Sequence, residues 1–366
     1  EIMPSLVGSE MCIRDSPAVV RELFIQELGD PPEKVFATFD PEPIASASIA
    51  QVHTATLHSG EDVVVKIQRP GISERLAPDV AILERVAGLA EISEYGRMLS
   101  ARHVVEDFAT GLDAELDFRN EAATMREWYD CLRDGPFGNR VRVPEVYDDL
   151  TTTRVLTMER IYAVRIDDAA AVRAAGHDGV ALCRNLLLSL LESAFHGGLF
   201  HGDLHAGNVL VDADGVLVLL DFGIVGRFTP RTRRILRQLV VDLIVRGDYE
   251  SAGRAIFLLG AVHKPGSTAR GAEDIKKVTT PLSTTDLGSM SYTDLGRQLA
   301  AVAKAHDARL PRELVLVGKQ LLYVEKYMKL LAPRWKAMSD KEIYGYMAGI
   351  LKEAERDRRD DRARQR

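Results

Sequence analysis

One polar stretch near the middle of the chain, followed closely by an acidic tripeptide, limits the fold most strongly. Residues 201–211 read His-Gly-Asp-Leu-His-Ala-Gly-Asn-Val-Leu-Val, and Asp-Phe-Gly begins at Asp221. An Asp, an Asn five residues later and a downstream Asp-Phe-Gly form the catalytic loop and metal-binding set of kinase-like phosphotransferases. In that chemistry Asp203 would orient the attacking hydroxyl or water, while Asn208 and Asp221 would hold Mg²⁺ against the phosphate oxygens of ATP.

The same region also predicts a β-hairpin. Residues 209–221 read plausibly as two strands joined by Asp214-Gly215, which is a turn signal. A hairpin without chemistry is the simpler alternative, but it leaves the polar cluster just before it unexplained. The several fixed offsets together favour a kinase-like site.

Two strands predicted upstream would complete a nucleotide site. The run 63–67 is β-branched around Lys66, as in a strand that delivers an ammonium group to the α- and β-phosphates. The alternative is a lysine that reaches solvent from a sheet edge. Residues 154–158 predict another strand, after which Glu159, Arg160 and Ile161 occupy a hinge position. Met158 would lie beside adenine, unless this segment is only a buried strand end.

The segment before the Lys66 strand is rich in alanine and serine where a kinase carries a glycine-rich loop. Residues 39–53 contain no glycine. Ala45, Ser46, Ala47 and Ser48 are expected to cover the phosphates, and their Cβ atoms restrict φ. We therefore expect weak phosphoryl transfer to proteins with nucleotide binding retained.

Five segments together carry a family resemblance: PIASASIAQVH, VVVKIQRPG, AELDFRNEA, VLTMERI and LFHGDLHAGNVLV with its LDFG. They resemble the UbiB/AarF family of atypical kinases, which is linked to ubiquinone biosynthesis. The likeness runs from about residue 19 to 226 and more weakly to about 333. It implies an α+β, bilobal, protein-kinase-like fold, with a small mixed N-lobe of β-sheet plus inserted helices and a larger, mainly helical C-lobe.

The resemblance also implies residue roles that spacing does not give. Glu121 would pair with Lys66, and Glu115 with Asp117 would form the family's acidic motif. Asp117 and Glu121, at i and i+4, would share one helical face and so require a nearby cation; a solvated acidic face is the alternative. The 55 positions between Lys66 and Glu121 leave room for inserted helices, expected near 80–92 and 103–110.

The sequence suggests four segments. Residues 1–16 are expected to be non-native or disordered, with native sequence beginning near Pro17, and no Lys-x-Gly-Gln motif of the family is present. The N-lobe is predicted over 17–158, the C-lobe over 159–335, and a C-terminal helix with a charged tail over 336–366. Apolar periodicity predicts helices over 17–28, 180–195, 231–245, 249–259, 294–305, 311–331 and 341–355, and composition predicts a loop over 266–291.

Composition narrows the partners. The 366-residue chain has a net charge of −7, which argues against nucleic acid as its main partner. The three cysteines show no metal-binding spacing, so buried thiols are expected. No run of 18 uncharged apolar residues is present, so neither a transmembrane helix nor a signal peptide is predicted. A cytoplasmic protein is expected, either free or peripheral at the inner face of the membrane.

Three functional classes remain open from the sequence. The leading one is a UbiB-type atypical kinase or ATPase that uses Mg-ATP to support isoprenoid-quinone or lipid metabolism. The second is a small-molecule phosphotransferase of the aminoglycoside or choline kind, because its catalytic loop is similar. The third is a nucleotide-binding scaffold without chemistry. An Ala-Pro-Glu motif is missing after Asp-Phe-Gly, which argues against ordinary docking of protein substrates.

Overall fold

The computed structural model describes residues 16–46, 49–90, 115–248 and 312–364. Isolated positions add to these at 105, 109, 111–112, 251, 254–255, 259, 261–262, 301 and 308–309. The expected terminal segment 1–16, except Ser16, lies outside the described residues. So do the predicted loop 266–291 and nearly all of the helices predicted over 103–110, 249–259 and 294–305.

Contacts divide the chain into two units, which differ in bounds from the predicted lobes. The first unit is Glu1–Thr124 with Pro144–Ile161, and the second is Met125–Val143 with Tyr162–Arg366. The sequence-based division after residue 158 remains a prediction of domain boundaries. The described helices and strands give the chain an α+β fold, as predicted.

The described helices and strands are numbered in chain order. The helices are α1 (Pro17–Leu28), α2 (Pro32–Val35), α3 (Ile72–Ala90), α4 (Phe118–Arg133), α5 (Ala169–Ala174), α6 (Gly179–Glu192), α7 (Pro230–Val240), α8 (Arg312–Leu331) and α9 (Lys341–Arg364). The strands are β1 (Thr38–Phe39), β2 (Ala45–Ser46), β3 (Ala50–Thr56), β4 (Asp62–Gln68), β5 (Val141–Arg142), β6 (Val155–Glu159), β7 (Val164–Arg165), β8 (Leu199–His201), β9 (Val209–Val211), β10 (Leu217–Leu219), β11 (Val225–Arg227), β12 (Ala261–Val262) and β13 (Ala308–Arg309).

The first unit is built on an antiparallel sheet whose described strands run in the order β1-β3-β4-β6, with β2 beside β3. Strand β4 alternates because successive side chains point to opposite faces of a sheet. Val63, Val65 and Ile67 enter a core with Phe24 and Phe36. Lys66 therefore lies on the other face, directly opposite Leu156 of β6.

The second unit contains a sheet whose described strands run in the order β5-β10-β9-β7. Strands β9 and β10 form the predicted hairpin, with Leu217 opposite Val211. Gly215 has a φ of 78°. Glycine adopts this left-handed conformation without steric cost, and it closes the turn. The predicted hairpin is confirmed. Helices α6 and α8 pack together beside this sheet.

Several helices begin and end where their sequence signals indicate. Helix α1 coincides with the predicted 17–28 helix, because Pro17 suits the first turn and Gly29 ends the helix. Gly29 does so with a left-handed φ of 83°. Helix α6 is capped by Asp178, whose carboxylate accepts a hydrogen bond from Val180 N. Helix α8 begins at Arg312, one residue after the prediction.

Two predicted helix ends are wrong in detail. The helix predicted over 180–195 stops at Glu192 and continues as a π-turn over Ser193–Gly197. The helix predicted over 231–245 stops at Val240 and continues as a π-turn over Val241–Arg246. A π-turn keeps nearly the same apolar periodicity as an α-helical turn, so the sequence pattern does not distinguish one from the other. Helix α9 runs to Arg364, beyond the predicted residue 355.

The π-turn after α6 places a histidine between two carboxylates. His196 Nδ1 lies 2.7 Å from Glu192 Oε2, and Nε2 lies 2.8 Å from Glu353 Oε2 of α9. The hydrogen bond to Glu192, followed by the charge of that residue and the contacts of Glu353, outweighs burial and raises the pKa of His196. The protonated ring, with two N–H donors, therefore helps to attach α9.

This site predicts a pH dependence of stability. The folded pKa of His196 is raised, so its stabilising contribution is present below about pH 6.5 and is lost as pH rises through the folded pKa. We expect about 1 kcal/mol, or about 2–4 °C in unfolding midpoint. Midpoints measured across the neutral range, from mildly acidic to mildly basic pH, should fall less with pH in His196→Gln than in wild type. His58→Gln, at an exposed position, is the control. Equal slopes in His196→Gln and wild type would contradict the assignment.

None of the described helices is both long and apolar enough to cross a lipid bilayer. Cys131 and Cys183, the two cysteines within the described residues, are unbridged thiols. Burial raises the pKa of Cys183 to about 12. This thiol is therefore a packing residue and not a nucleophile at neutral pH. Cys12 lies outside the described residues.

Candidate active site

In the first unit, Lys66 forms a buried ion pair with Glu121. Lys66 Nζ lies 2.8 Å from Glu121 Oε2 and 3.1 Å from Oε1. The two side chains are only 13% and 6% exposed, and the Phe118 ring centroid lies 5.1 Å from the ammonium nitrogen. The predicted contact across 55 positions is confirmed, and the alternative of a lysine that reaches solvent is wrong.

The position of Glu121 follows from how α4 is anchored. Phe118 begins this helix and is buried against Ala50, Ala122 and Leu156, on the sheet face that carries Lys66. Glu121 falls in the first helical turn, where the helix dipole favours a negative charge. The apolar contact of Phe118 therefore brings the carboxylate to the lysine.

The prediction that Asp117 and Glu121 share one helical face is wrong. Asp117 precedes α4, and its Oδ1 accepts a hydrogen bond from Arg119 N at 3.0 Å. Its cation is the Arg119 guanidinium at 2.6 Å, and this hydrogen bond is the main reason why the pKa of Asp117 lies below its usual value. Glu115 is a half-buried helical position, and its part in a family acidic motif stays a prediction.

The alanine-rich segment is partly described. Ala45 and Ser46 form β2, where they lie opposite Val52 and Gln51 of β3, while Ala47 and Ser48 lie outside the described residues. Arg69 contacts the described residues that lie just before and just after positions 47 and 48. Its Nη2 donates to Ser46 Oγ at 3.2 Å, and its main-chain N donates to Ile49 O at 2.8 Å. The motif around Lys66 contained Arg69, but its contacts are visible only in the structure.

The three predicted hinge residues differ in their main-chain hydrogen bonds. Met158 is buried in β6, and Glu159 is the last residue of that strand. The N–H groups of Glu159 and Arg160 donate to Glu145 O and Asp62 O, at 2.8 and 3.0 Å. The Ile161 N–H makes no main-chain hydrogen bond to another described residue. Of the three, Ile161 therefore best fits an N–H that would bind a base edge.

In the second unit, His201 holds the catalytic loop. Its ring is fully buried, with Nε2 2.9 Å from Leu220 O and Nδ1 accepting from Asp203 N at 3.0 Å. A carbonyl must accept and a main-chain N–H must donate, so the proton lies on Nε2. Burial lowers the pKa of His201, which keeps the ring neutral. Hydrogen bonds of the His201 ring therefore link Asp203 to Leu220, the residue that precedes Asp221.

Two glycines allow the loop to enter this position. Gly202 N donates to Ile224 O at 2.9 Å, and a Cβ at Gly202 would lie 2.8 Å from that same oxygen. A Cβ at Gly226, in β11, would lie 2.0 Å from the Phe200 ring. Real Cβ atoms do not approach main-chain or ring atoms so closely. The β8–β11 pairing therefore requires glycine at both positions.

Asp203 and Asn208 are oriented by neighbouring groups. Asp203 Oδ1 accepts from Lys319 Nζ of α8 at 2.8 Å, and His205 Nε2 lies 3.7 Å from Oδ2. Asn208 is buried, and its amide nitrogen donates to Asp203 O at 3.1 Å. This bond fixes the orientation of the amide group.

Asp221 has an unusual backbone conformation. Among the described non-glycine residues it alone has a positive φ, 57°. Such a conformation costs free energy and clusters at functional sites. Asp221 Oδ1 accepts from Gly223 N at 3.2 Å, and Leu220 N donates to Asn208 O at 2.9 Å. The main-chain segments that carry Asn208 and Asp221 are therefore joined directly.

This donor set fits Mg²⁺. An amide oxygen and a carboxylate are hard ligands of the kind that this ion takes, and substrate phosphates and water usually complete its octahedral shell. No group of three or more His, Cys, Asp or Glu side chains able to hold a metal occurs in the part of the chain that the structure describes.

Helix α8 supplies contacts that sequence reasoning missed. Gln320 is fully buried, and its side chain accepts from Leu204 N at 2.8 Å and donates to Gly202 O at 2.5 Å. Tyr327 donates to Leu204 O at 2.7 Å, and Lys319 reaches Asp203. The only sequence signal was a Lys-Gln pair that interrupts the apolar residues 314–322 of this helix.

Comparison with known proteins identifies the family. A family model described as the ABC1 atypical kinase-like domain matches residues 12–255, about two thirds of the chain. The chain belongs to the ABC1 atypical kinase-like family. This assignment agrees with the resemblance drawn from the motifs around Lys66, Glu121 and Asp203, and it makes the protein phosphotransferase-like.

Curated relatives of this ABC1 member cover most of its length. An uncharacterized Mycobacterium tuberculosis protein is 55% identical over 342 residues, which are 93% of this chain and 70% of that protein. An uncharacterized chloroplastic aarF domain-containing protein kinase of Arabidopsis thaliana is 33% identical, over 91% of this chain and 67% of that protein. The probable protein kinase UbiB of Shewanella loihica is 32% identical over 87% of this chain, which spans 58% of that protein.

A solved structure shares the fold. It is a Mycobacterium tuberculosis protein in complex with erythromycin, with a TM-score of 0.62 and 24% sequence identity. The match covers 88% of this chain and 85% of that protein. At this identity the likeness concerns the fold alone.

Proposed function

We propose that this protein binds Mg-ATP and acts as an atypical kinase or ATPase of the UbiB type. The observation that carries the proposal is the buried Lys66–Glu121 ion pair at 2.8 Å. In kinases a strand lysine held by a helical glutamate sets an ammonium group against the α- and β-phosphates. A buried ion pair is a weak stabiliser compared with apolar packing, so its role in ligand binding is the better explanation.

The remaining residues take roles that suit phosphoryl transfer. Lys66 binds the α- and β-phosphates, and Ile161 N–H with the carbonyl of Glu159 binds adenine beside Met158. Asp203 orients the acceptor hydroxyl or water and takes its proton, while neutral His201 keeps the loop in place. Asn208 and Asp221 hold Mg²⁺, which when bound neutralises charge on the phosphate oxygens.

The phosphoryl acceptor belongs to quinone or lipid metabolism. The motif resemblance to the UbiB/AarF family, which is linked to ubiquinone biosynthesis, supports this assignment. The missing Ala-Pro-Glu motif argues against ordinary protein substrates. We further propose a cytoplasmic location, with peripheral binding at the inner face of the membrane, where isoprenoid-quinone precursors reside.

The proposal is tested by Mg²⁺-dependent ATP turnover under four conditions. The protein is assayed alone, with vesicles carrying anionic lipid and a phenolic quinone precursor, with a small alcohol or aminoglycoside, and with a generic protein substrate. We expect slow hydrolysis alone and faster turnover with the vesicles. Stimulation only by a small alcohol or aminoglycoside would favour a small-molecule phosphotransferase. Nucleotide binding in Mg²⁺ without turnover under any condition would favour a nucleotide-binding scaffold, and absence of nucleotide binding would contradict the proposal.

The alanine-rich segment gives a separate prediction. Ala47→Gly removes a Cβ that restricts φ, and the greater backbone freedom of this segment is expected to change the rate by roughly tenfold. We expect higher autophosphorylation or altered nucleotide selectivity. The control is Ala37→Gly, at an exposed position of the same unit. Wild-type phosphorylation of a generic protein at about 1–100 per second would show that this loop is not inhibitory.

A further inference from the structure

Helix α8 is attached rigidly to the catalytic loop. The buried Gln320 side chain bonds the main chain on both sides of Asp203, through Gly202 O and Leu204 N. Tyr327, two turns later and also fully buried, bonds Leu204 O. Buried polar side chains that satisfy main-chain groups hold those groups in one arrangement. The helix therefore presents its neighbouring side chains at fixed positions beside Asp203.

Lys319, the residue before Gln320, uses this position to reach the Asp203 carboxylate. Its Nζ lies 2.8 Å from Oδ1, and the Tyr323 ring centroid lies 5.7 Å from Nζ. The lysine side chain is 45% exposed. Ion pairs of such exposure add little to stability. A stabilising role therefore does not account for this contact.

We propose that Lys319 is a positioning residue for phosphoryl transfer that holds Asp203 and places a positive charge beside the transferred group. This inference rests on the proposed function. With Oδ1 held by Lys319, the other carboxylate oxygen, Oδ2, is the one that meets the acceptor. A fixed cation at this point offsets the repulsion between the carboxylate and the phosphoryl oxygens, and it needs no reorganisation during the reaction.

The transfer step conserves atoms and charge. The acceptor hydroxyl or water oxygen forms a bond to the γ-phosphorus, and its proton passes to Asp203 Oδ2. The bond from the γ-phosphorus to the bridging oxygen breaks, and its electron pair leaves with ADP. Lys319 keeps its proton throughout and acts by charge and position.

The alternative is a latch in which Lys319 covers Asp203 and must leave before reaction. The two roles predict opposite changes in kcat when the charge of Lys319 is removed. A positioning residue lowers kcat when its charge is removed, because the carboxylate loses its orientation. A latch raises kcat under the same change, because the carboxylate becomes available. Since the ADP portion of the nucleotide does not involve the transferred group, neither role changes Mg-ADP affinity.

The test uses the full chain with Lys319→Met, Lys319→Arg and the control Lys326→Met, an exposed lysine of the same helix. Steady-state kcat and KM for ATP are measured with Mg-ADP dissociation constants and unfolding midpoints. We expect kcat to fall about 10- to 100-fold in Lys319→Met, with Mg-ADP affinity and midpoint unchanged. Lys319→Arg should restore most of the rate, and Lys326→Met should match wild type.

The outcomes separate this inference from the proposed function. If the wild type turns over ATP and kcat in Lys319→Met is unchanged or raised, the inference about Lys319 is overturned and the proposed function stands. A fall in kcat that is matched by weaker Mg-ADP binding and a lower midpoint also overturns the inference, because that pattern indicates structural damage. A wild type that neither binds nor turns over Mg-ATP overturns the proposed function and this inference together.

Discussion

Asp221→Asn is expected to lower Mg²⁺-dependent ATP turnover by about 10³-fold, since the loss of metal-phosphate stabilisation costs several kcal/mol. The substitution removes one unit of charge at the candidate metal ligand and keeps the side-chain shape. The backbone here has a φ of 57°. Asparagine tolerates positive φ better than most residues, so this conformation should persist. Turnover and Mg-ATP binding are measured across a range of Mg²⁺ concentrations.

A matched control separates local charge from overall charge. Asp214 lies exposed in the β9–β10 turn of the same unit, so Asp214→Asn makes the same chemical change away from the candidate site. We expect wild-type turnover in that variant. Unchanged Mg-ATP affinity and turnover in Asp221→Asn would remove Asp221 from the metal site, and equal losses in both variants would point to a general charge effect.

Local spacing was enough to predict part of the candidate site. Asp203, Asn208 and Asp221 fall within a short segment, and the hairpin between Asn208 and Asp221 follows from two short apolar runs and one turn signal. Lys66 could be placed on a strand because β-branched neighbours surround it. These features depend on residues close in sequence, where periodicity and turn chemistry act directly.

Contacts between distant residues were not available from local patterns. Glu121 was reached only through family resemblance, because 55 positions separate it from Lys66. Lys319 lies 116 positions from Asp203 on a helix whose apolar pattern explains its fold without any catalytic contact. Asp117 was predicted to lie inside the helix that carries Glu121, but the helix begins one residue later, at Phe118. A sequence pattern does not fix a helix boundary to within one residue.

The Lys66–Glu121 pair gives the second large expected effect. The Glu121 side chain is only 6% exposed. Lys66→Met leaves this carboxylate without its ammonium partner, which should cost about 3–5 kcal/mol in free energy of unfolding. Glu121→Gln should cost a similar amount, and the double variant should lose less than the sum, because it leaves neither charge buried alone. All three variants should lose Mg-ATP affinity, measured by titration calorimetry.

An exposed pair in the same unit provides the control for this cycle. Lys34 and Asp30 lie 3.2 Å apart with side chains 71% and 56% exposed. Lys34→Met, Asp30→Asn and their combination should therefore each change stability by less than about 1 kcal/mol. Urea unfolding measures both cycles, and additive losses at Lys66 and Glu121 would contradict a coupled pair.

Stability and binding must be read together for the buried pair. A large coupling free energy between the two substitutions, with unchanged Mg-ATP affinity, would show that the Lys66–Glu121 pair is structural. It would remove the main support for nucleotide binding. A large coupling with lost affinity is the expected result, because a lysine set against the phosphates contributes to both quantities. Unfolding free energies and Mg-ATP affinities together therefore decide whether the buried Lys66–Glu121 pair serves only stability or also nucleotide binding.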